Sequence, residues 1–110
     1  MTNDISAVVV TGRLTRDVDV RYTQSGTAVA NFAIAQNRRK PDGSDEVTFV
    51  DIAMWGKRAE AFARFHSKGD RCLLEGRLTM DEWEDKNGGG RRTKLKMTAE
   101  NWEFFGERKF

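Results

Sequence analysis

Apolar and polar residues alternate along most of this chain, and the alternation gives way once. Strand side chains point to opposite faces with period 2, so a shared parity marks a shared face. "ISAVVVTGRLT" (5–15) is β-rich and contains Gly12, an internal glycine of the kind that marks a bulge or sharp bend. "DVDVRYT" (17–23) puts Val18, Val20 and Tyr22 on one face. "QSG" (24–26) is a turn, and "TAVANFAIAQN" (27–37) is a third strand with Phe32 and Ile34 as its large apolar residues. The polar "RRKPDGSDE" (38–46), which holds the single proline, reads as a loop before the strand "VTFVDIAMW" (47–55). The period then lengthens. In "GKRAEAFARFHSKGD" (56–70), Ala59, Phe62, Ala63 and His66 form one stripe at helical spacing, with Gly69 as the stop. "RCLLEGRLTMDEWED" (71–85) and "RRTKLKMTAENWEFF" (91–105) return to strand around the hairpin tip "KNGGG" (86–90), which its glycines leave mobile.

This order predicts an all-β fold: a five-stranded Greek-key barrel of the OB type, with one helix between strands 3 and 4 and a long hairpin. A chain of 110 residues is one domain's worth. The domain is expected to span 1–106, followed by a short basic end at 107–110.

Parity raises a question in the strand 47–55. Thr48, Val50, Ile52 and Met54 make a face fit for a core, while Phe49, Asp51 and Trp55 share the other. Asp51 marks that second face as one that meets water or a partner, yet two large aromatics stand on it. The hairpin repeats the pattern. Cys72, Leu74, Gly76, Leu78 and Met80 form its apolar parity, and Trp83 falls on the polar one. On the return strand that polar face carries Arg92, Lys94 and Lys96, and a turn centred near 88–89 sets Trp83 across from Lys94.

Composition narrows the chemistry. Cys72 is the single cysteine, at core parity, so it reads as a buried, inert thiol with no disulfide and no zinc cluster. His66 is the single histidine, half buried or at a helix end, with no Ser, Asp or Cys placed to complete a triad. No enzyme, metal site or cofactor is expected. No apolar run is long enough to cross a membrane, and the start lacks the basic and apolar regions of a secretory signal, so the default location is the cytoplasm.

A net charge of +2 does not by itself mark a nucleic-acid binder, but its distribution does more. Arg38, Arg39 and Lys40 are contiguous, and Arg91, Arg92, Lys94 and Lys96 form a second cluster. Single-stranded nucleic acid is bound by cations that track phosphates and by aromatics on which bases stack. Phe49, Trp55 and Trp83 are the candidate stacking residues. Arg38, Arg39, Lys40, Lys57, Arg92, Lys94 and Lys96 are the candidate phosphate contacts. Asp51 and the acidic "DEWED" (81–85) run against this reading.

These residues resemble the bacterial-type single-stranded DNA-binding proteins. "VTGRLTRDVDVRYTQSGTAVANFAIA" (10–35) is similar to the opening of that family, and "DIAMWGKRAEAFARFHSKGDRCLLEGRL" (51–78) to its second signature. The resemblance implies an OB fold and a homotetramer that wraps single-stranded DNA with little sequence preference, in replication, recombination and repair. It implies no catalysis and no cofactor, and a nucleoid-associated place in a bacterium or phage. It puts the family's base-stacking positions at Phe49, Trp55 and Trp83. Where the family often has a further tryptophan, this chain has Lys40, which implies a steeper salt dependence. The final "FFGERKF" lacks the family's flexible linker and acidic tip, so tail-mediated replication and repair partners are not expected. A different reading of the same residues is an OB-fold interaction module of primosome-accessory type, whose exposed aromatics meet a protein and which binds DNA or RNA weakly.

Overall fold

A computed structural model describes residues 2–105; the basic end expected at 107–110 lies outside the described residues. Six strands and one helix follow in order: β1 (Val8–Leu14), β2 (Asp19–Tyr22), β3 (Ala28–Arg39), β4 (Asp45–Trp55), α1 (Lys57–Phe65), β5 (Arg71–Glu84) and β6 (Arg91–Phe104). Five of the strands close a barrel in the order β1–β5–β6–β4–β3, with β3 returning to β1; β2 adds to the free edge of β3. Every pairing is antiparallel except β4–β6, which is parallel. The helix falls between the third and fourth barrel strands, so the fold is the expected OB barrel.

Gly12 explains the closure. β1 runs along β5 up to the pair Arg13↔Arg71, and at Arg13 and Leu14 it also pairs with β3. A Cβ on Gly12 would sit 2.8 Å from the Ala35 carbonyl oxygen, so only glycine lets the two backbones approach this closely. Gly76 does the same at a bulge in the β5–β6 ladder, where a Cβ would run into the Thr98 carbonyl.

The core takes the parities read from the sequence. Phe32, Ile34, Ile52, Met54, Leu74 and Met97 are fully or almost fully buried. The helix plugs one end through Ala59 and Phe62, whose ring stacks on Phe32 with centroids 5.1 Å apart. Gly56, at φ +74°, makes the turn from β4 into the helix.

The helix ends at Phe65, short of the expected 70. His66 is already extended, and its buried ring lies between Phe62 and Phe104. The Asp70 carboxylate then accepts from the Ser67 N–H at 2.9 Å, and the Gly69 N–H donates to the Leu14 carbonyl at 2.9 Å. These bonds offer the backbone a better use than a further helical turn.

Two further expectations are corrected. The loop predicted over 38–46 is only the turn at 40–44, because Arg38 pairs with Glu46 and Arg39 with Asp45 across the β3–β4 ladder. Opposite charges across strands stabilise a polar hairpin that composition alone reads as coil. In the second hairpin Trp83 faces Arg92, and Asp81 faces Lys94. Asp85 sets that register: its N–H donates to Gly90 at 2.9 Å, and its carboxylate accepts from the Asn87 N–H at 2.9 Å. These bonds close the turn at the hairpin tip. Beyond Gly76 the hairpin leaves the barrel, so Leu78 and Met80 are exposed in spite of their core parity. Thr48 is exposed for the same reason at the outer end of β4.

Candidate nucleic-acid interface

The outer surfaces of β2, β3, β4, β6 and the far half of β5 form one continuous wall. Register places Phe49 beside Ala35 and Asp51 beside Ala33 on β3, Ala53 beside Thr98 on β6, and Trp83 beside Arg92. The Thr79 and Thr98 hydroxyls, 2.7 Å apart, join β5 to β6 on this side. Alanines at 33, 35 and 53 keep the floor low. The aromatics rise from it: Phe49 is 67% exposed, and Trp55 and Trp83 are each 48% exposed. Phe49 and Trp55 lie six positions apart on one strand, about 20 Å at ~3.3 Å per residue. That spacing suits separate planar groups rather than one clamped between them.

The third tryptophan behaves differently. Trp102 packs edge-on against Phe62 and His66, with centroids at 5.8 and 5.1 Å. It is part of the helix-side aromatic stack, away from the wall. His66 Nδ1 lies 3.1 Å from the Phe62 carbonyl, while its Nε2 is buried with no hydrogen-bond partner among the described residues. Burial therefore pulls the His66 pKa below its ordinary value, against the opposing hydrogen bond and the Asp70 charge. Burial likewise pushes the Cys72 thiol up to about 11, which suits the inert thiol expected at that position. Among the described residues no group of three His, Cys, Asp or Glu side chains is placed to hold a metal ion.

The candidate cations are split. Alternation sends Arg39 to the aromatic side, where Asp45 lies 3.4 Å away. Arg38 points to the other side and lines a cavity of about 450 Å3 with Arg13, Gln36, Glu46 and Arg71. Lys40 sits in the turn, where its N–H donates to the Ser44 carbonyl at 2.8 Å. Lys57 opens the helix, two positions after Trp55. The hairpin cations share the wall with the aromatics, and each is paired: Arg92 with Asp85 at 3.1 Å, Lys94 with Asp51 at 2.6 Å, Lys96 with Asp81 at 2.6 Å. Lys94 therefore accounts for Asp51, the acid that parity placed between two aromatics.

Sequence reasoning passed over two more cations on this wall. Arg21 pairs with Asp19 at 3.2 Å, and Arg77 with Glu100 at 3.7 Å. The alternation "DVR" at 19–21 is the one local signal for the first pair. Nothing local marks the second, which joins two strands.

Residues 5–105 match the single-strand binding protein family. The chain belongs to this family. Among its curated relatives, the single-stranded DNA-binding protein of Wolinella succinogenes is 47% identical over 98 residues, covering 86% of this chain and 60% of the relative. That of Treponema pallidum is 39% identical over 106 residues, covering 94% of this chain and 59% of the relative. That of Helicobacter hepaticus is 42% identical over 100 residues, covering 87% and 58%. The chain spans about three-fifths of the length of these relatives. The match covers the whole barrel of this single-strand binding family member, from before β1 through β6, and so includes every residue of the wall.

Proposed function

We propose that this chain binds single-stranded DNA with little sequence preference, by stacking bases on Phe49, Trp55 and Trp83. The observation that carries the reading is three exposed aromatic rings on one wall of an OB barrel. Every base has a π-face, so such a surface needs no sequence code. Relatives named single-stranded DNA-binding proteins support the ligand class. Arg38, Lys40 and Lys57, which have no ion-pair partner among the described residues, supply the phosphate contacts. Arg39, Arg92, Lys94 and Lys96 add to them only as far as their carboxylates release them. The role is binding rather than catalysis, in the replication, recombination and repair of cytoplasmic DNA.

The assembly we propose is a homotetramer. What supports contact between protein copies is a second exposed surface: Leu78, Met80 and Leu95 on the side of the hairpin opposite Trp83. The same surface is the observation that favours the interaction-module reading, in which protein contacts come first and DNA binding is weak.

A titration with oligo-dT, followed by tryptophan fluorescence and light scattering, tests both readings together. Single-strand binding predicts quenching of Trp55 and Trp83 with residual emission from Trp102, and the mass of a tetramer. An absence of quenching at low salt favours the interaction module. Competition between dT and rU oligomers separates DNA from RNA.

A further inference from the structure

The aromatic wall is neutralised from within. Arg21, Arg39, Arg77, Arg92, Lys94 and Lys96 project from it, and each has a carboxylate oxygen within 3.7 Å. The two tightest pairs are built across strands. β6 lies between β4 and β5 in the sheet, and its two lysines are held from both sides. Asp51 of β4 takes Lys94, and Asp81 of β5 takes Lys96, each at 2.6 Å. Register supports the arrangement, because Asp81 stands directly across from Lys94 and diagonally from Lys96. Lys94 is thus flanked by two acids. The Lys96 side chain is only 15% exposed, which leaves it little room to swing toward a bound strand.

Exposed ion pairs add little to folding stability, so stability alone is a weak reason for two of them to bracket one strand. Their effect on a ligand is larger. A free lysine that neutralises a phosphate releases condensed counterions, and on a single strand log K then falls by about 0.7 per unit of log salt for each such contact. A lysine already held by a carboxylate must exchange one oxyanion for another, and gains little. Ring faces are indifferent to this exchange. Four of the seven phosphate contacts expected from the sequence are paired in this way, so the steep salt dependence expected from Lys40 is offset.

We propose that Asp51 and Asp81 are specificity-determining residues, built-in counterions that hold Lys94 and Lys96 back from phosphate so that the wall selects strands by their unpaired bases. The proposal rests on the single-strand reading above and names what that site selects. A polyanion without bases finds no net positive charge on this wall, whereas a strand with accessible bases finds three rings. Binding is then carried by stacking and tolerates salt.

The test compares the parent chain with Asp51→Asn, Asp81→Asn and the double variant. Binding to labelled oligo-dT and to an abasic oligomer of equal length is measured by anisotropy across a salt series. The parent is expected to bind oligo-dT with a shallow slope and the abasic strand weakly. Asp51→Asn frees the more exposed Lys94, steepens the log–log slope by about 0.7, and tightens binding at 0.1 M salt by about fivefold. Asp81→Asn, which frees the less exposed Lys96, acts in the same direction by less. The double variant is expected to bind the abasic strand measurably and to lose part of the preference for dT. Asp variants with the parent's affinity and slope overturn the proposal alone. A parent that binds neither oligomer overturns the single-strand reading and the proposal with it.

Discussion

Two groups of cations on this barrel have opposite surroundings. On the aromatic wall each cation has its own carboxylate, and Phe49, Trp55 and Trp83 stand clear of the surface. At the barrel end Arg13, Arg38 and Arg71 line the cavity of about 450 Å3 with one acid, Glu46, which stands across from Arg38 in the ladder without forming an ion pair with it; none of the three cations has an ion-pair partner among the described residues. Arg13 and Arg71 even face each other across the β1–β5 ladder. Their guanidinium groups turn to uncharged partners: Arg13 donates to the Gly69 carbonyl at 3.0 Å, and Arg71 lies 4.6 Å from the centre of the Phe105 ring. The three wall aromatics stand among cations held by carboxylates, whereas the cations at the barrel end have no ion-pair partner among the described residues. Base stacking and long-range attraction of a polyanion are therefore assigned to different parts of the surface.

The largest effect is expected on the wall. Trp55→Ala with Trp83→Ala removes two stacking platforms, each of which contributes roughly 1–3 kcal/mol per base. Affinity for oligo-dT, read by anisotropy of a labelled strand, should fall by about 2–6 kcal/mol in the double variant. A comparable loss in Arg13→Gln/Arg71→Gln would erase the contrast between the two regions.

A smaller effect separates bare from compensated charge. Arg38→Gln removes an unpaired cation and should reduce the salt slope for oligo-dT by about 0.7. Asp51→Asn with Lys94→Gln removes a whole pair and should leave both slope and affinity close to the parent. If the pair deletion matched Arg38→Gln, the carboxylate would not be compensating the lysine.

The aromatic stack around His66 is a third case, rings without cations, and its response is to pH. Burial depresses the His66 pKa, so the fold holds the neutral ring and takes up fewer protons than the unfolded chain. This contribution to stability is complete above the ordinary histidine value near 6.5 and is lost as pH falls below it. The urea midpoint of the parent should drop between pH 8 and pH 5, and that of His66→Phe should drop less. The smallest effect belongs to Arg13→Gln. Relief of a like-charge pair across the ladder, about 0.2–1 kcal/mol, is opposed by loss of the bond to the Gly69 carbonyl, so Tm should stay close to that of the parent.

Several features were legible locally. Ala59 and Phe62 of the helix, with His66 just past its end, face the core, and the parities of β3, β4 and the first half of β5 are those of the barrel interior. The exposure of Phe49, Trp55 and Trp83 follows from the same period. What local pattern missed has one kind of cause: a side chain far away in sequence, or one that redirects the backbone. Polar 38–39 and 45–46 look like coil until they are laid across each other as a charged ladder. Asp85 moves the hairpin register by accepting from Asn87 and Arg92. Leu78 and Met80 have core parity, but a parity states which side a residue takes, not where along the strand the barrel ends.

By itself the sequence determined the order of elements, the single helix, the two sides of each strand and the aromatics that stand outside. Those properties come from the period of side-chain direction, which acts over neighbouring residues. The tertiary structure alone decided the fate of the charges. Asp51 meets Lys94 only because β4 and β6 are brought side by side in parallel, and Arg38 parts from Arg39 because the strand extends through both. Coulomb interactions follow distance in space, and the barrel sets those distances through strand order and register, which no local window of sequence contains.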